Sequence, residues 1–456
     1  MTSAAAMVGG ILAVALVTGL VVQVAHPFIR HDDWGFSLSS DEPGSTDIWA
    51  RNQYEGRWLT WVWWRVLGQH LSIVMATTVF VVAYSTWVVG TVRLLRLRRW
   101  WQQAAATTAL LVSTTWIQLV YWPGTLSPSM VVAAVAVWTL PYARRRRSTW
   151  WPWLFLSVGL AVLSYQPVAL LLLFAVAVTE RRSGFLRLVR VAVGFAVAYA
   201  AGVLVVWTLN WWAFGVFGVT LAQWRQPNPL HSVADLVTNL GRYRTQLRSL
   251  ASDLGPALVV GAVATVVGLW GRRTRRATGL VLVAGLMSVS VEAAVTVVTG
   301  AVTGVRASLW AWPLIVLPAA LLAAARGPWV RRTGVVCLLG LTFVGILQWR
   351  SDLGEHRQTR DEYDALITQV AEARQRFPGL PVVLWMEPAI RKTARGNMTA
   401  VTLQNMTQEQ QGVYPRWCSK ARCAAIAATV TPPPRGEVVV ADGAIVLRVP
   451  PPPRWL

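Results

Sequence analysis

The sequence predicts a polytopic α-helical membrane protein of about eleven transmembrane helices that carries a small extracytoplasmic α/β domain at its C-terminal end. Three observations carry that prediction. Of the 456 residues, 55% are hydrophobic and 14% charged, with a mean hydropathy of +0.46, which is too apolar for a soluble chain of this length. Basic residues gather in short clusters between apolar stretches, and from about residue 351 the composition turns polar. Two domains follow, 1–350 in the membrane and 351–456 outside it.

Residues 7–25 form the first span. No basic segment precedes it and no small-residue cleavage site lies before His26, so it reads as an uncleaved helix rather than a signal peptide. Residues 26–57 then lie outside, and WLTWVWWRVLG (58–68) has the amphipathic, tryptophan-rich character of an interfacial helix. A span at 71–92 descends to RLLRLRR (93–99), 103–122 rises, YWPG (121–124) turns, and 126–142 descends to RRRR (144–147).

Between RRRR and Arg181 the apolar stretch is broken by SYQP (164–167), and both of its flanks are basic. A single helix cannot begin and end on one side of a membrane. Two short helices meeting near Tyr165 and Gln166 can, with Pro167 in the first turn of the second; interrupted segments of this kind border membrane cavities. Residues 185–208 rise again, 209–252 form a polar outer loop with an interfacial helix, and spans at 254–271, 278–299, 307–325 and 333–349 complete the set.

Charge supports this layout. The five inner connections hold nineteen arginines and the longer outer ones nine, so the positive-inside rule places the arginine clusters in the cytoplasm and the C-terminus outside. The net charge of +22 therefore reports orientation and contact with the lipid bilayer, with no nucleic-acid partner implied. In the tail, the periodicity of Tyr363, Leu366, Ile367 and Val370 predicts a helix, PVVLWM (381–386) a strand, and EVVVADGAIVLRV (437–449) a hairpin on an Asp-Gly turn. Cys337 reads as a small core residue, while Cys418 and Cys423, on the oxidising side, are either a disulfide or two separate thiols.

The chemistry-bearing stretches concentrate at the outer face. HDDWGF (31–36) sets Asp32 and Asp33 at the start of the first outer loop, where a low-dielectric wall raises a carboxylate's basicity; either residue is a candidate general base or, alternatively, the cap of a short helix. NQYEGRWL (52–59) brings Arg57, able to hold a phosphate through two hydrogen bonds, together with Tyr54 and Trp58, whose rings suit a sugar face or the interface itself. Tyr165 and Gln166 face a cavity or satisfy the broken backbone. TGVRASLWAWP (303–313) carries Arg306 at the outer end of a span, a candidate phosphate ligand or a snorkelling anchor, and Glu292 sits inside an apolar segment, functional or paired with an arginine. No Gly-rich phosphate loop, histidine cluster or nucleophile elbow is evident in the sequence.

A first helix, then DDW, then GRW before the next helix, then YQ at the junction of two short helices: in that order these residues resemble bacterial membrane glycosyltransferases of the GT-C superfamily, most closely the type II O-antigen glucosyltransferase family, over roughly residues 10–310. The resemblance implies a GT-C-like enzyme of the bacterial cytoplasmic membrane that transfers a sugar from a polyprenyl-phosphate donor to an envelope glycan, with inversion at the anomeric carbon. It assigns the base to Asp32, with Asp33 as its partner or as contact for a divalent cation, and phosphate binding to Arg57 and Arg306. The C-terminal domain departs from that family, so the acceptor and the sugar stay open. A transporter or flippase of a lipid-linked glycan is the competing class. It would call for ionisable residues across the midplane of several helices and a repeated half, neither of which the sequence offers.

Overall fold

A computed structural model of the chain describes residues 28–68, 72–113, 118–221, 225, 227–301, 304–429 and 436–453; of Asp32, Gln118, Arg147, Arg306 and Ala394 it describes the backbone alone. The span expected at 7–25 lies outside the described residues. In chain order the helices are α1 (His31–Ser37), α2 (Ile48–Glu55), α3 (Trp58–Leu67), α4 (Ile73–Leu95), α5 (Trp100–Leu111), α6 (Pro123–Ala143), α7 (Arg147–Ser164), α8 (Gln166–Thr179) and α9 (Phe185–Phe214). They continue as α10 (Val233–Leu254), α11 (Pro256–Trp270), α12 (Arg275–Thr299), α13 (Ala311–Ala323) and α14 (Pro328–Arg376). Beyond these come β1 (Val382–Trp385), α15 (Pro388–Arg391), α16 (Ala394–Gln411), β2 (Arg416–Trp417), α17 (Lys420–Thr429), β3 (Glu437–Ala441) and β4 (Ala444–Arg448).

Among the described residues five helices (α4, α6, α9, α12 and α14) are long and apolar enough to cross a membrane, and α10 with α11 makes a sixth if that bent pair is one span. This is consistent with a multi-pass helical membrane protein. Several segments expected as spans are shorter. Helix α5 stops at Leu111 after 12 residues, and α13 has 13. At 1.5 Å per residue such helices reach about 20 Å, short of the roughly 30 Å hydrocarbon thickness. The end of α5 is stabilised where it stops: the Tyr84 hydroxyl donates to the carbonyls of Leu110 (2.7 Å) and Leu111 (3.2 Å), which have no partner further along the helix.

The chain divides into two compact units. Of the described residues, the first holds those of 48–66 and 77–350 and the second those of 28–47, 67–76 and 351–456, so α14 contributes to both. The centre of the first unit is built from two short helices. Val168–Val178 of α8 are all buried, and so is every residue of α13 except Leu314, as expected of helices that are apolar all round. Breaks sit where the local chemistry favours them. Tyr165 adopts an extended conformation between α7 and α8, with proline opening α8. Gly255 (φ +45°) ends α10 and Pro256 begins α11, which turns away by 91°.

In the second unit a four-stranded sheet of order β2-β1-β4-β3 pairs β1 in parallel with both β2 and β4, and β3 with β4 antiparallel. The Asp442-Gly443 turn of the hairpin has positive φ at both positions (49° and 65°), as its tight geometry requires. Val383, Trp385, Cys418, Ile426, Ala444 and Val446 form a core on this sheet, and Cys418 is joined to Cys423 by a disulfide. Tyr363, Leu366, Ile367 and Val370 are buried, as their spacing predicts, and Gln369 accepts a hydrogen bond from the backbone of Val438 at 3.2 Å.

Two glycines of α14 report on its packing. A Cβ on Gly334 would collide with the α13 backbone at Ala319 and Ala323, whereas at Gly354 it would meet nothing. Gly334→Val is therefore expected to lower thermal stability by roughly 1–3 kcal/mol through overpacking, and Gly354→Ala to raise it by about 0.5–1 kcal/mol through helix propensity; thermal unfolding of the full-length chain in detergent compares the two.

Candidate functional site

The acidic stretch belongs to the second unit. Helix α1 begins at His31 with Arg30 at its N-cap, so neither Asp32 nor Asp33 is the cap; both lie in the first turn, where the helix dipole favours negative charge. Asp33 is 1% exposed and α1 packs on α16. The Asp32 side chain lies outside the described residues. Arg30, at the N-cap of α1, meets a buried group on α14 that sequence spacing does not single out. His356 (3% exposed) stands edge-on to Phe28, with ring centroids 5.7 Å apart. The Arg30 guanidinium has only donors, so at 3.3 Å it must donate to Nε2 of a neutral imidazole, whose Nδ1–H donates to the Asp352 carbonyl at 2.6 Å. Burial, and then the Arg30 charge, push the His356 pKa down to about 3, against a smaller opposing effect of the Asp352 carbonyl. Periodicity offers no signal for a lone histidine on a long helix.

The GRW stretch lies in the first unit, and the structure separates the work of its three residues. Gly56 (φ +65°) closes α2 in the left-handed region, and a Cβ there would strike Val206. Trp58 is buried against Trp49 and donates its indole N–H to Asn210 at 2.9 Å, while Asn210 in turn donates to the carbonyls of Asn52 and Gly218. Glycine and tryptophan thus have structural tasks. Arg57 pairs with Glu55 at 3.1 Å, and Arg51 takes the same carboxylate through two hydrogen bonds of 2.9 and 3.2 Å. Glu55 thus holds both guanidiniums in place. The Arg57 guanidinium also lies 5.0 Å from the centre of the Tyr165 ring, a cation–π contact across more than a hundred residues of sequence. Arg57, Tyr165 and Gln166 are all half-buried, and Tyr54 is exposed.

Also in the first unit, Glu292 of α12 is buried and accepts three hydrogen bonds: Gln246 Nε2 (2.7 Å) and Ser308 Oγ (2.7 Å) at Oε1, and Trp310 Nε1 (2.8 Å) at Oε2. Two stretches singled out separately in the sequence, the intramembrane acid and TGVRASLWAWP, therefore meet. Arg306 occupies a short 3-10 turn, Val305–Ala307, and its side chain lies outside the described residues. Gln246, Ser308 and Trp310 were not legible as partners because they come from other elements. No group of three or more His, Cys, Asp or Glu able to hold a metal ion occurs among the described residues.

Removing the Glu292 carboxylate strands three buried donors, so Glu292→Leu is expected to cost on the order of 2–4 kcal/mol, whereas Glu292→Gln, which retains an acceptor oxygen, should cost less; unfolding midpoints in detergent distinguish them. For His356 the folded state holds the imidazole neutral while the unfolded chain titrates near 6.5. Its stabilising contribution is therefore complete above that value and lost as the pH falls towards about 3, at up to about 1.4 kcal/mol per pH unit. Amide protection factors around residues 356–363 of the full chain, corrected for the intrinsic pH dependence of exchange, should fall between pH 7 and pH 5, and His356→Gln should flatten that response.

No protein-family model, no curated protein and no solved structure matches this chain.

Proposed function

We propose that this chain is an inverting glycosyltransferase of the bacterial cytoplasmic membrane, moving a sugar from a polyprenyl-phosphate donor to a cell-envelope glycan at the outer face. In this reading about eleven helices are set in the membrane in the GT-C manner, the short α5 and α13 among them, and residues 351–456 are extracytoplasmic. What supports it best is the contact between Arg57 and Tyr165: a half-buried guanidinium, already oriented by Glu55, beside an aromatic ring at the break between two short helices. An arginine can meet a phosphate through a planar fork, and a half-buried aromatic ring beside it suits a sugar or an isoprenoid.

The chemistry is single displacement. Asp32 accepts the proton of an acceptor hydroxyl as that oxygen attacks the anomeric carbon from the face opposite the phosphate. The carbon–oxygen bond to the phosphate breaks, and the polyprenyl phosphate departs with the electron pair, its charge met by Arg57 and Arg306. In this reading Asp33, buried in the first turn of α1, is a partner to the base or a contact for a divalent cation, and Gln166 lines the sugar side. Trp58 contributes by fixing Arg57 in the chain through its bond to Asn210.

The test uses full-length protein in nanodiscs with a radiolabelled polyprenyl-phosphate sugar and membrane glycan. Asp32→Asn should lower transfer by roughly a hundredfold or more while the protein stays folded, and Arg57→Ala should weaken apparent donor affinity about tenfold. Wild-type transfer by Asp32→Asn would remove the base assignment. Glycan analysis of a deletion strain names the sugar.

A further inference from the structure

Four connections of the first unit converge on one cavity: those between α4 and α5, α8 and α9, α11 and α12, and α13 and α14. It has a volume of about 820 Å³, and ten of its lining residues are arginines, among them Arg96, Arg98, Arg181, Arg182, Arg272 and Arg326. Gln102, Thr274 and small aliphatic residues complete the wall; no carboxylate and no aromatic ring is part of it. Basic connections are expected at one end of a membrane protein. That rule sets composition, however, and does not require guanidiniums from four separate connections to face a common space.

Neighbouring arginines show the contrast. Glu180, fully buried, takes Arg144 at 2.8 Å and Arg187 at 3.0 Å, so each of these two has a carboxylate partner. Among the described residues none of the ten around the cavity is ion-paired. Arg181 reaches across to donate to the Leu95 carbonyl at 3.4 Å. Burial, and then the charges of Arg182 and Arg96, hold its pKa below the usual guanidinium value, as expected where like charges face one another. Arg96 follows the last turn of α4 with φ +54°, a left-handed conformation that costs a non-glycine residue about 1–2 kcal/mol and is usually given to glycine at a helix end. An arginine is kept there at that cost.

We propose that this cavity binds an anion bearing two or more phosphates. A single phosphate engages two or three guanidiniums and would leave most of this ring uncompensated. A nucleic acid is disfavoured because no ring is available to stack on a base. Aliphatic groups at the helix ends, Leu95 and Leu321 among them, suit the headgroup of a diphosphatidyl lipid, whereas a soluble oligophosphate would use the arginines alone. The assignment is independent of the glycosyl-transfer reading.

Two arms separate the sources, both on the full-length chain. In phosphatidylcholine nanodiscs, calorimetric titration with tripolyphosphate reads the soluble form. In nanodiscs of matched total charge, native mass spectrometry compares retention of diphosphatidylglycerol with that of phosphatidylglycerol. Saturable one-site binding in either arm supports the proposal and names the source. Replacing both Arg181 and Arg272 by glutamine should weaken it at least tenfold, and Arg190→Gln, which alters an arginine outside the cavity, should not. Absence of saturable binding in both arms, or an equal loss with Arg190→Gln, overturns it. Should the double variant fail to fold, the wild type decides: at constant ionic strength, tripolyphosphate or diphosphatidylglycerol must raise its unfolding temperature where sulfate and phosphatidylglycerol do not, and no rise with either refutes the site.

Discussion

Hydrocarbon offers no hydrogen-bonding partner, and that constraint governs this chain more than any other. Each place where a helix stops or bends exposes backbone groups that must be satisfied from within the protein. The solutions are individual side chains. Tyr84 covers the carbonyl end of α5; Asn210 bonds the indole of Trp58 and two backbone carbonyls, those of Asn52 and Gly218; Asn239 donates to the carbonyls of Asn228 and Val297 near the end of α12. These polar residues, set in or beside apolar helices, satisfy backbone groups where a helix such as α5 or α12 ends.

The same economy applies to charge. In the first unit acids are few, and the buried ones described here each organise several donors: Glu180 holds two arginines and Ser183, while Glu292 holds Gln246, Ser308 and Trp310. Glu55, partly buried, aligns Arg51 and Arg57. Against that background a ring of arginines with no carboxylate in its wall is an exception that asks for a ligand, because mutual repulsion in a confined space is otherwise uncompensated.

The second unit obeys different rules, being a sheet with helices on it. Its hairpin turn, its parallel pairing and its disulfide are those of an ordinary small α/β fold. What is unusual is that residues 28–47, far upstream, belong to it: α1 packs on α16, Phe28 on Tyr363, and Arg30 on His356. The short helix that carries the two acids thereby belongs with the tail, and its N-cap Arg30 meets a histidine held neutral by burial and by that guanidinium.

By itself the sequence determined the apolar helical character, the break at Tyr165, the tail helix with its buried stripe, and the Asp-Gly hairpin. Each of these is written in local periodicity, proline placement or turn chemistry, which act within a few residues. Tertiary structure alone decided that α5 and α13 fall short of a span, that Gly56 and Trp58 serve packing while Arg57 meets Tyr165, that Glu292 is held by Gln246, Ser308 and Trp310, and that four arginine clusters share one cavity. Those outcomes depend on which side chains arrive from distant elements. A hydrogen-bond partner or a like-charged neighbour far along the chain leaves no trace in spacing, so only the folded arrangement fixes it.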